Sequence, residues 1–283
     1  MGMRMPRHPS DKKKARALCA CTLGSMTLVA APPHAVARLR TERLGRSSKP
    51  FLARGGIKGV RCAGCRLVPS HCMCDLRPSL QTQVGICLLM GDIEALKPSN
   101  TGWLVADVLA DTYAFGWART ETDPTLLALL ADPQWQPYVV FPGEYVAPER
   151  VVHAVQVASG PSAKRPLFIL LDGTWAEARK MFRKSPYLER FPVLSLETAQ
   201  LSRYQLRRSQ RNDHFCTIEV AALCLELSGE GRAAETLSAY LDVYTHHYLR
   251  AKQQLPVEHV SLAYARWRSL GSVTERLPAQ PQR

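Results

Sequence analysis

The sequence predicts an α/β fold, a mostly parallel sheet with flanking helices behind a small N-terminal cysteine knuckle, and three observations predict it. Short continuous apolar runs, Gln83–Met90 and Leu167–Leu171 above all, read as strands buried on both faces. Helical segments alternate with these runs, as in parallel sheets whose strands are joined by crossover helices. Four cysteines, Cys62, Cys65, Cys72 and Cys74, crowd into one short stretch ahead of the first strand.

Taken in chain order, residues 1–58 are expected to be a basic, disordered extension. Residues 1–61 hold 14 Lys/Arg against 2 Asp/Glu, which leaves 23 against 22 for the remainder, so the extension carries most of the net charge of +13 and the body is nearly neutral. The overall charge is therefore weak evidence about what the folded part binds. Lys12–Arg16 followed by Ala17–Ala31 imitates a secretory signal, but Cys19, Cys21, Thr22, Gly24, Ser25 and Thr27 interrupt the apolar segment. No stretch reaches the roughly 18–20 apolar residues that span a bilayer. A cytoplasmic protein with no membrane partner is the expectation.

Residues 59–80 hold the pattern CxxC-x6-CxC. Four soft ligands so close together suit tetrahedral zinc, whose bonds replace a core that so few residues cannot build. A redox CxxC, a disulfide pair, or replacement of one sulfur by His71 are the alternatives at this point. Cys87, Cys216 and Cys224 lie in apolar segments and read as small buried hydrophobes.

Residues 81–260 form the expected main domain. After the strand Gln83–Met90 comes the loop GDIEALKPSNTG, then a helix over Trp103–Asp111. Ser99, Asn100 and Thr101 supply oxygens that can cap that helix, and Gly102 leaves its N-terminus approachable to an anion such as a carboxylate. Further strands are expected at Ala114–Thr120, Tyr138–Phe141 and Val193–Leu196, and helices at Thr125–Ala131, Thr217–Leu227 and Gly231–Gln253. Glu219 sits near the start of the apolar helix Thr217–Leu227, where capping and a place in a site are equally open to it. Residues 261–283 are expected to be a C-terminal tail.

The most informative segment is PLFILLDGTWAEARKMF, beginning at Pro166. Its strand delivers Asp172 to the carboxyl edge of the sheet, where open α/β sheets bind their ligands. Gly173 allows a tight turn, and Thr174 with Glu177 forms a Thr-x-x-Glu capping box for the helix that follows. Arg179, Lys180 and Arg183, and a second group comprising Arg203, Arg207 and Arg208, are candidate phosphate contacts, although either group can equally be a solvated helix face. A GxGxxG turn, a P-loop and HExxH are all absent, which argues against dinucleotide, nucleoside-triphosphate and zincin chemistry.

CxxC-x6-CxC, LKPSNTG, LDGTWAEARKMFRKSPYL and CTIEVAALCLE occur in the order and spacing of the DTW-domain proteins, and over about Arg61–Gln254 the chain resembles the bacterial tRNA-uridine aminocarboxypropyltransferases of that family. The resemblance implies a SPOUT-like, possibly knotted, domain. It implies transfer of the 3-amino-3-carboxypropyl group of S-adenosylmethionine to N3 of a uridine in tRNA, by a monomer or homodimer. The residues that give the family its name fall on Asp172, Thr174 and Trp175, which become the candidate catalytic positions. Ser99, Asn100, Thr101, Gly102, Leu171, Gly173 and Glu219 become the candidate cofactor side. A SPOUT-type RNA methyltransferase and a non-catalytic zinc-containing RNA-binding protein are the rival readings.

Overall fold

The computed structural model describes residues 33–48, 51, 59–157, 160, 163–196 and 215–271. Its strands are β1 (Gly85–Met90), β2 (Thr112–Gly116), β3 (Trp135–Val140), β4 (Val151–Val152), β5 (Arg165–Asp172) and β6 (Val193–Leu194). Among the described residues they form one sheet in the order β2-β1-β5-β3-β6-β4, and every neighbouring pair is parallel. The α/β expectation therefore holds. The helices are α1 (Ala35–Gly45), α2 (Gly102–Val108), α3 (Pro124–Ala131), α4 (Trp175–Arg183), α5 (Thr217–Leu227), α6 (Gly231–Gln253) and α7 (Leu262–Ser269).

The period-two geometry of a strand sorts side chains to the two faces of the sheet. Ile86, Leu88 and Met90 of β1, with Phe168 and Leu170 of β5, enter one core with α2, α5 and α6. Cys87 and Leu89, with Leu167 and Ile169, enter the opposite core, where α3 and α4 supply Leu126, Leu130 and Ala178. Burial on both faces is why β1 and β5 read as unbroken apolar runs.

Several expectations shift. The helix expected at Trp103–Asp111 is α2, Gly102–Val108, and the strand expected at Val193–Leu196 is β6, Val193–Leu194. The strand expected at Ala114–Thr120 is β2, Thr112–Gly116. The strand expected at Tyr138–Phe141 begins at Trp135 and runs through Pro137. Proline removes a ladder donor and is confined to exposed flanks of sheets; β6 pairs only with Val139 and Val140, so one flank of β3 is open at Pro137. Inside the expected extension lies α1, whose Ala35, Val36 and Leu39 are buried, with the His34 ring nitrogen Nδ1 accepting from the Ala37 amide at 3.2 Å as an N-cap. Inside the expected tail lies α7, anchored by buried Tyr264, whose hydroxyl lies 2.7 Å from His247 Nε2 on α6. No helix among the described residues is long and apolar enough to cross a membrane.

Candidate active site at the strand ends

Met90 and Asp172 are register partners, so β1 and β5 end level and the segments that follow them leave the same sheet edge. The Gly91 amide donates to the Asp172 carbonyl at 2.8 Å and ties the two exits together. The Asp172 side chain, in a residue only 5% exposed, turns into the protein instead of toward solvent. Asn100 Nδ2 donates to one of its oxygens at 2.7 Å, and Thr217 Oγ1, at the start of α5, donates to the other at 2.8 Å. Burial pushes the Asp172 carboxyl above its ordinary range, opposed by those two hydrogen bonds and by the charges of Lys97 and Arg66.

The start of α2, where the sequence expects an anion to be held, lies against the side chain of Asp172. A Cβ on Gly102 would lie 2.6 Å from Asp172 Oδ2, so only glycine lets α2 come this close. Asn100 Oδ1 accepts from the Trp103 amide at 3.0 Å while its amide nitrogen holds Asp172, so one side chain caps the helix and orients the carboxylate. Thr101 Oγ1 accepts from the Ile218 amide at 3.4 Å, which fastens α2 to α5. Ser99 is half-buried on the same loop.

Glu94 is the residue that sequence reasoning missed. It is 6% exposed, and burial, with repulsion from Asp172 next, raises its carboxyl to about 7 against the opposing pull of Lys97. Lys97 Nζ donates to Glu94 Oε1 in a close ion pair. A Cβ on Gly91 would touch Glu94 Cγ at 3.4 Å and Glu177 Oε1 at 3.5 Å, so Glu94 and Glu177 flank the same glycine. The only signal in the sequence was an acidic residue in a loop leaving the carboxyl end of a buried strand.

Thr174 and Glu177 close the capping box on α4: the Thr174 amide donates to Glu177 Oε2 at 2.8 Å, and Thr174 Oγ1 accepts from the Glu177 amide at 3.3 Å. Gly173 is crowded by Glu177 Cβ, which an added Cβ would meet at 3.1 Å. Leu171 is half-buried one residue before Asp172. Glu219 takes the capping role, its Oε2 accepting from the Cys216 amide at 2.8 Å. Trp175, the first residue of α4, stacks on Phe141 at 5.5 Å between ring centroids and remains 37% exposed. Arg179, Lys180 and Arg183 are exposed on α4, whereas Arg203, Arg207 and Arg208 lie outside the described residues.

The cysteine cluster stands behind this site and holds its loop. The sulfurs of Cys62, Cys65, Cys72 and Cys74 all lie within 4.8 Å of one another, with Cys62 and Cys74 at 3.5 Å and Cys65 and Cys72 at 3.7 Å. Zinc bonds of about 2.3 Å at the tetrahedral angle would set sulfurs about 3.8 Å apart, so the donor set fits that ion. Gly64 keeps the cradle open, since a Cβ there would sit 2.7 Å from Cys74 Sγ. His71 does not replace a sulfur: its ring nitrogens lie 2.9 Å from Ser70 Oγ and 2.8 Å from the Leu255 carbonyl. From the same turn Arg66, in the left-handed region at φ 64° and fully enclosed, donates to the carbonyls of Lys97 at 2.7 Å and Asn100 at 2.9 Å. Its guanidinium lies 4.2 Å from the Trp103 ring centroid, and Trp103 Nε1 donates back to the Gly64 carbonyl at 3.1 Å. Tyr244 of α6 donates to the Pro98 carbonyl between those two anchor points.

Fold and site together define a parallel α/β protein with a buried, doubly hydrogen-bonded carboxylate at the carboxyl edge of its sheet and a four-sulfur metal-type cluster braced against it. The chain belongs to the DTW-domain family, whose model, described as DTW domain, matches residues 59–249, from the knuckle to the last turns of α6. That family includes tRNA-uridine aminocarboxypropyltransferases. No solved structure matches the chain.

Proposed function

We propose that this chain transfers the 3-amino-3-carboxypropyl group of S-adenosylmethionine to N3 of a uridine in tRNA. The observation that carries the reading is Asp172, a buried carboxylate held by Asn100 and Thr217 at a ligand-binding sheet edge in a chain of this family. A sulfonium offers three carbons to a nucleophile, and the one that is aimed decides the reaction. N3 forms its bond to the γ-carbon of the amino-acid chain, the S–C pair goes to sulfur, which leaves as a neutral thioether, and the N3 proton passes to a carboxylate.

An ordinary carboxylate is a weak base for that proton, and burial strengthens it. Asp172 is shifted in that direction, and each of its oxygens keeps a lone pair beyond its hydrogen bond. Glu94, raised to about 7, stands beside it as a second proton acceptor. With Glu177 these groups give the edge a negative field that suits a sulfonium and an ammonium. Ser99, Asn100, Thr101, Gly102, Leu171 and Gly173 are proposed to line the cofactor side, and Trp175 to bound the uridine side. The four cysteines would hold zinc as a structural cross-link, outside the proton path.

The test is nucleoside mass spectrometry on unmodified tRNA incubated with the purified chain and S-adenosylmethionine. A uridine that gains the aminocarboxypropyl mass establishes the reaction. A methyl gain moves the chain to a methyltransferase, and no gain despite cofactor and tRNA binding overturns the proposal.

A further inference from the structure

An α-amino acid carries its carboxylate and its ammonium on one carbon, so a site that grips it needs a cation and an anion side by side, each with a hydrogen-bonding position to give. Lys97 and Glu177 meet that requirement beside Asp172. Lys97 pairs with Glu94, and the pair is open on the lysine side: the Lys97 side chain is 32% exposed and that of Glu94 8%. An ammonium has three N–H donors, and among the described residues Nζ gives one of them, to Glu94 Oε1. Two donors therefore remain at the more exposed end of the pair.

Glu177 supplies the anion. Its Oε2 accepts from the Thr174 amide at 2.8 Å and from Thr174 Oγ1 at 2.6 Å, whereas among the described residues no hydrogen bond reaches its Oε1. That oxygen would lie 3.5 Å from a Cβ on Gly91, and Glu94 Cγ 3.4 Å from the same point, so the open oxygen and the Glu94–Lys97 pair share the exit from β1. Burial opposes the charge on Glu177, but the Thr174 hydrogen bonds and the charges of Lys97 and Lys180 outweigh it and hold the carboxyl below its ordinary range. The charge of Lys97 also acts on Asp172 and Glu94, so this lysine stands among three carboxylates. The neighbouring polar groups are already engaged: Asp172 accepts from Asn100 and Thr217, and Arg66 donates to the carbonyls of Lys97 and Asn100.

Resting on the reading above that S-adenosylmethionine is the co-substrate, we propose that Lys97 and Glu177 form a clamp for its amino-acid end, Lys97 donating to the α-carboxylate and Glu177 accepting from the α-ammonium. The γ-carbon lies two bonds from the carbon that carries both groups. Holding that carbon sets the γ-carbon, and not the methyl, against the incoming nucleophile, which makes the clamp the determinant of which group is transferred.

The test compares, by calorimetry on the full chain, S-adenosylmethionine with decarboxylated S-adenosylmethionine, the same sulfonium and amine without the carboxylate. The parent should bind the first about 10- to 100-fold more tightly, the scale of one charge-assisted hydrogen bond. Lys97→Gln should weaken S-adenosylmethionine by that factor and leave the decarboxylated form unweakened, which erases the preference; Lys97→Arg should keep it. Glu177→Gln, which retains an acceptor for the Thr174 cap, should weaken both ligands alike, because both carry the amine. Equal binding of the two ligands by the parent overturns the clamp, and this arm needs no variant to fold. A preference that survives in Lys97→Gln also overturns it, as does an equal loss of both ligands there, which would make Lys97 a structural partner of Glu94. Parent-like binding by Glu177→Gln does the same. If tRNA gains the aminocarboxypropyl mass while the parent shows no preference, the clamp falls and the reaction stands; if the preference holds and no uridine is modified, the reaction falls and the clamp stands. Absence of any S-adenosylmethionine binding removes both.

Discussion

Asp172 carries two constraints at once. It accepts from Asn100 and Thr217, and it is buried, so a replacement that cannot accept twice strands a donor at a cost of about 1–3 kcal/mol. Asp172→Asn has one acceptor oxygen, and its amide must face one of those donors. It should lower transfer by about 10²- to 10⁴-fold, the usual scale of a lost acid–base group, and reduce Tm by several degrees. Single-turnover assays and thermal melts check both, and near-normal turnover removes Asp172 from the chemistry. Glu94 makes the complementary statement about pH. Its carboxyl is raised from 4.5 to about 7, so the folded state holds the proton more tightly than the unfolded chain. Its contribution to stability is therefore fully present below about 4.5 and lost as pH rises through about 7. Denaturation midpoints followed across that window should fall in the parent and fall less steeply in Glu94→Gln; parallel curves would contradict the assignment. Asp172 was legible in the sequence because an apolar run stops on it. Glu94 was not, because α1, which packs against its segment, and Asp172, whose charge repels it, lie elsewhere in the chain.

The knuckle and the loop 97–101 act together. Arg66 reaches from the cysteine turn to the carbonyls of Lys97 and Asn100, and Asn100 reaches on to Asp172, so three hydrogen bonds join the metal-type cluster to the carboxylate. If zinc holds the four sulfurs, its removal releases that chain of contacts from the far end. Elemental analysis should find zinc on the purified protein, and a chelator should lower Tm by on the order of 10 °C. Hydrogen exchange should then accelerate at the Asn100 amide, which is bonded to Lys97 O, while β3 stays protected. Uniform acceleration in both would reduce the cluster to a global staple. The four cysteines announced themselves by spacing, but their link to the site did not, because it runs through one arginine whose partners are carbonyls, and carbonyls leave no mark in a sequence. Thr217 was read only as the start of a helix, because the carboxylate it donates to, Asp172, lies 45 residues earlier in the chain.

Across the whole molecule, the long strands buried on both faces were readable, the two-residue β6 was read two residues too long as Val193–Leu196, and β4 was missed. β1 and β5 bury side chains on both faces and appear as apolar runs, while β4 has two residues and carries no pattern. The strand order, with β5 between β1 and β3, depends on register partners 82 residues apart in one pairing (Gly85 and Leu167) and 30 apart in the other (Trp135 and Arg165), and is invisible to local periodicity. Helix α1 escaped notice because its three buried residues, Ala35, Val36 and Leu39, stand among Arg38, Arg40, Glu42 and Arg43 in a stretch dominated by charge. The brevity of β4 has an outcome of its own. One border of the sheet is a two-residue strand, and the other, β2, has α1 packed against it. Short or braced borders give a foreign strand little to zip onto, which guards against fibril-like templating. Copies of this chain at high concentration would therefore be hindered from growing sheet onto sheet.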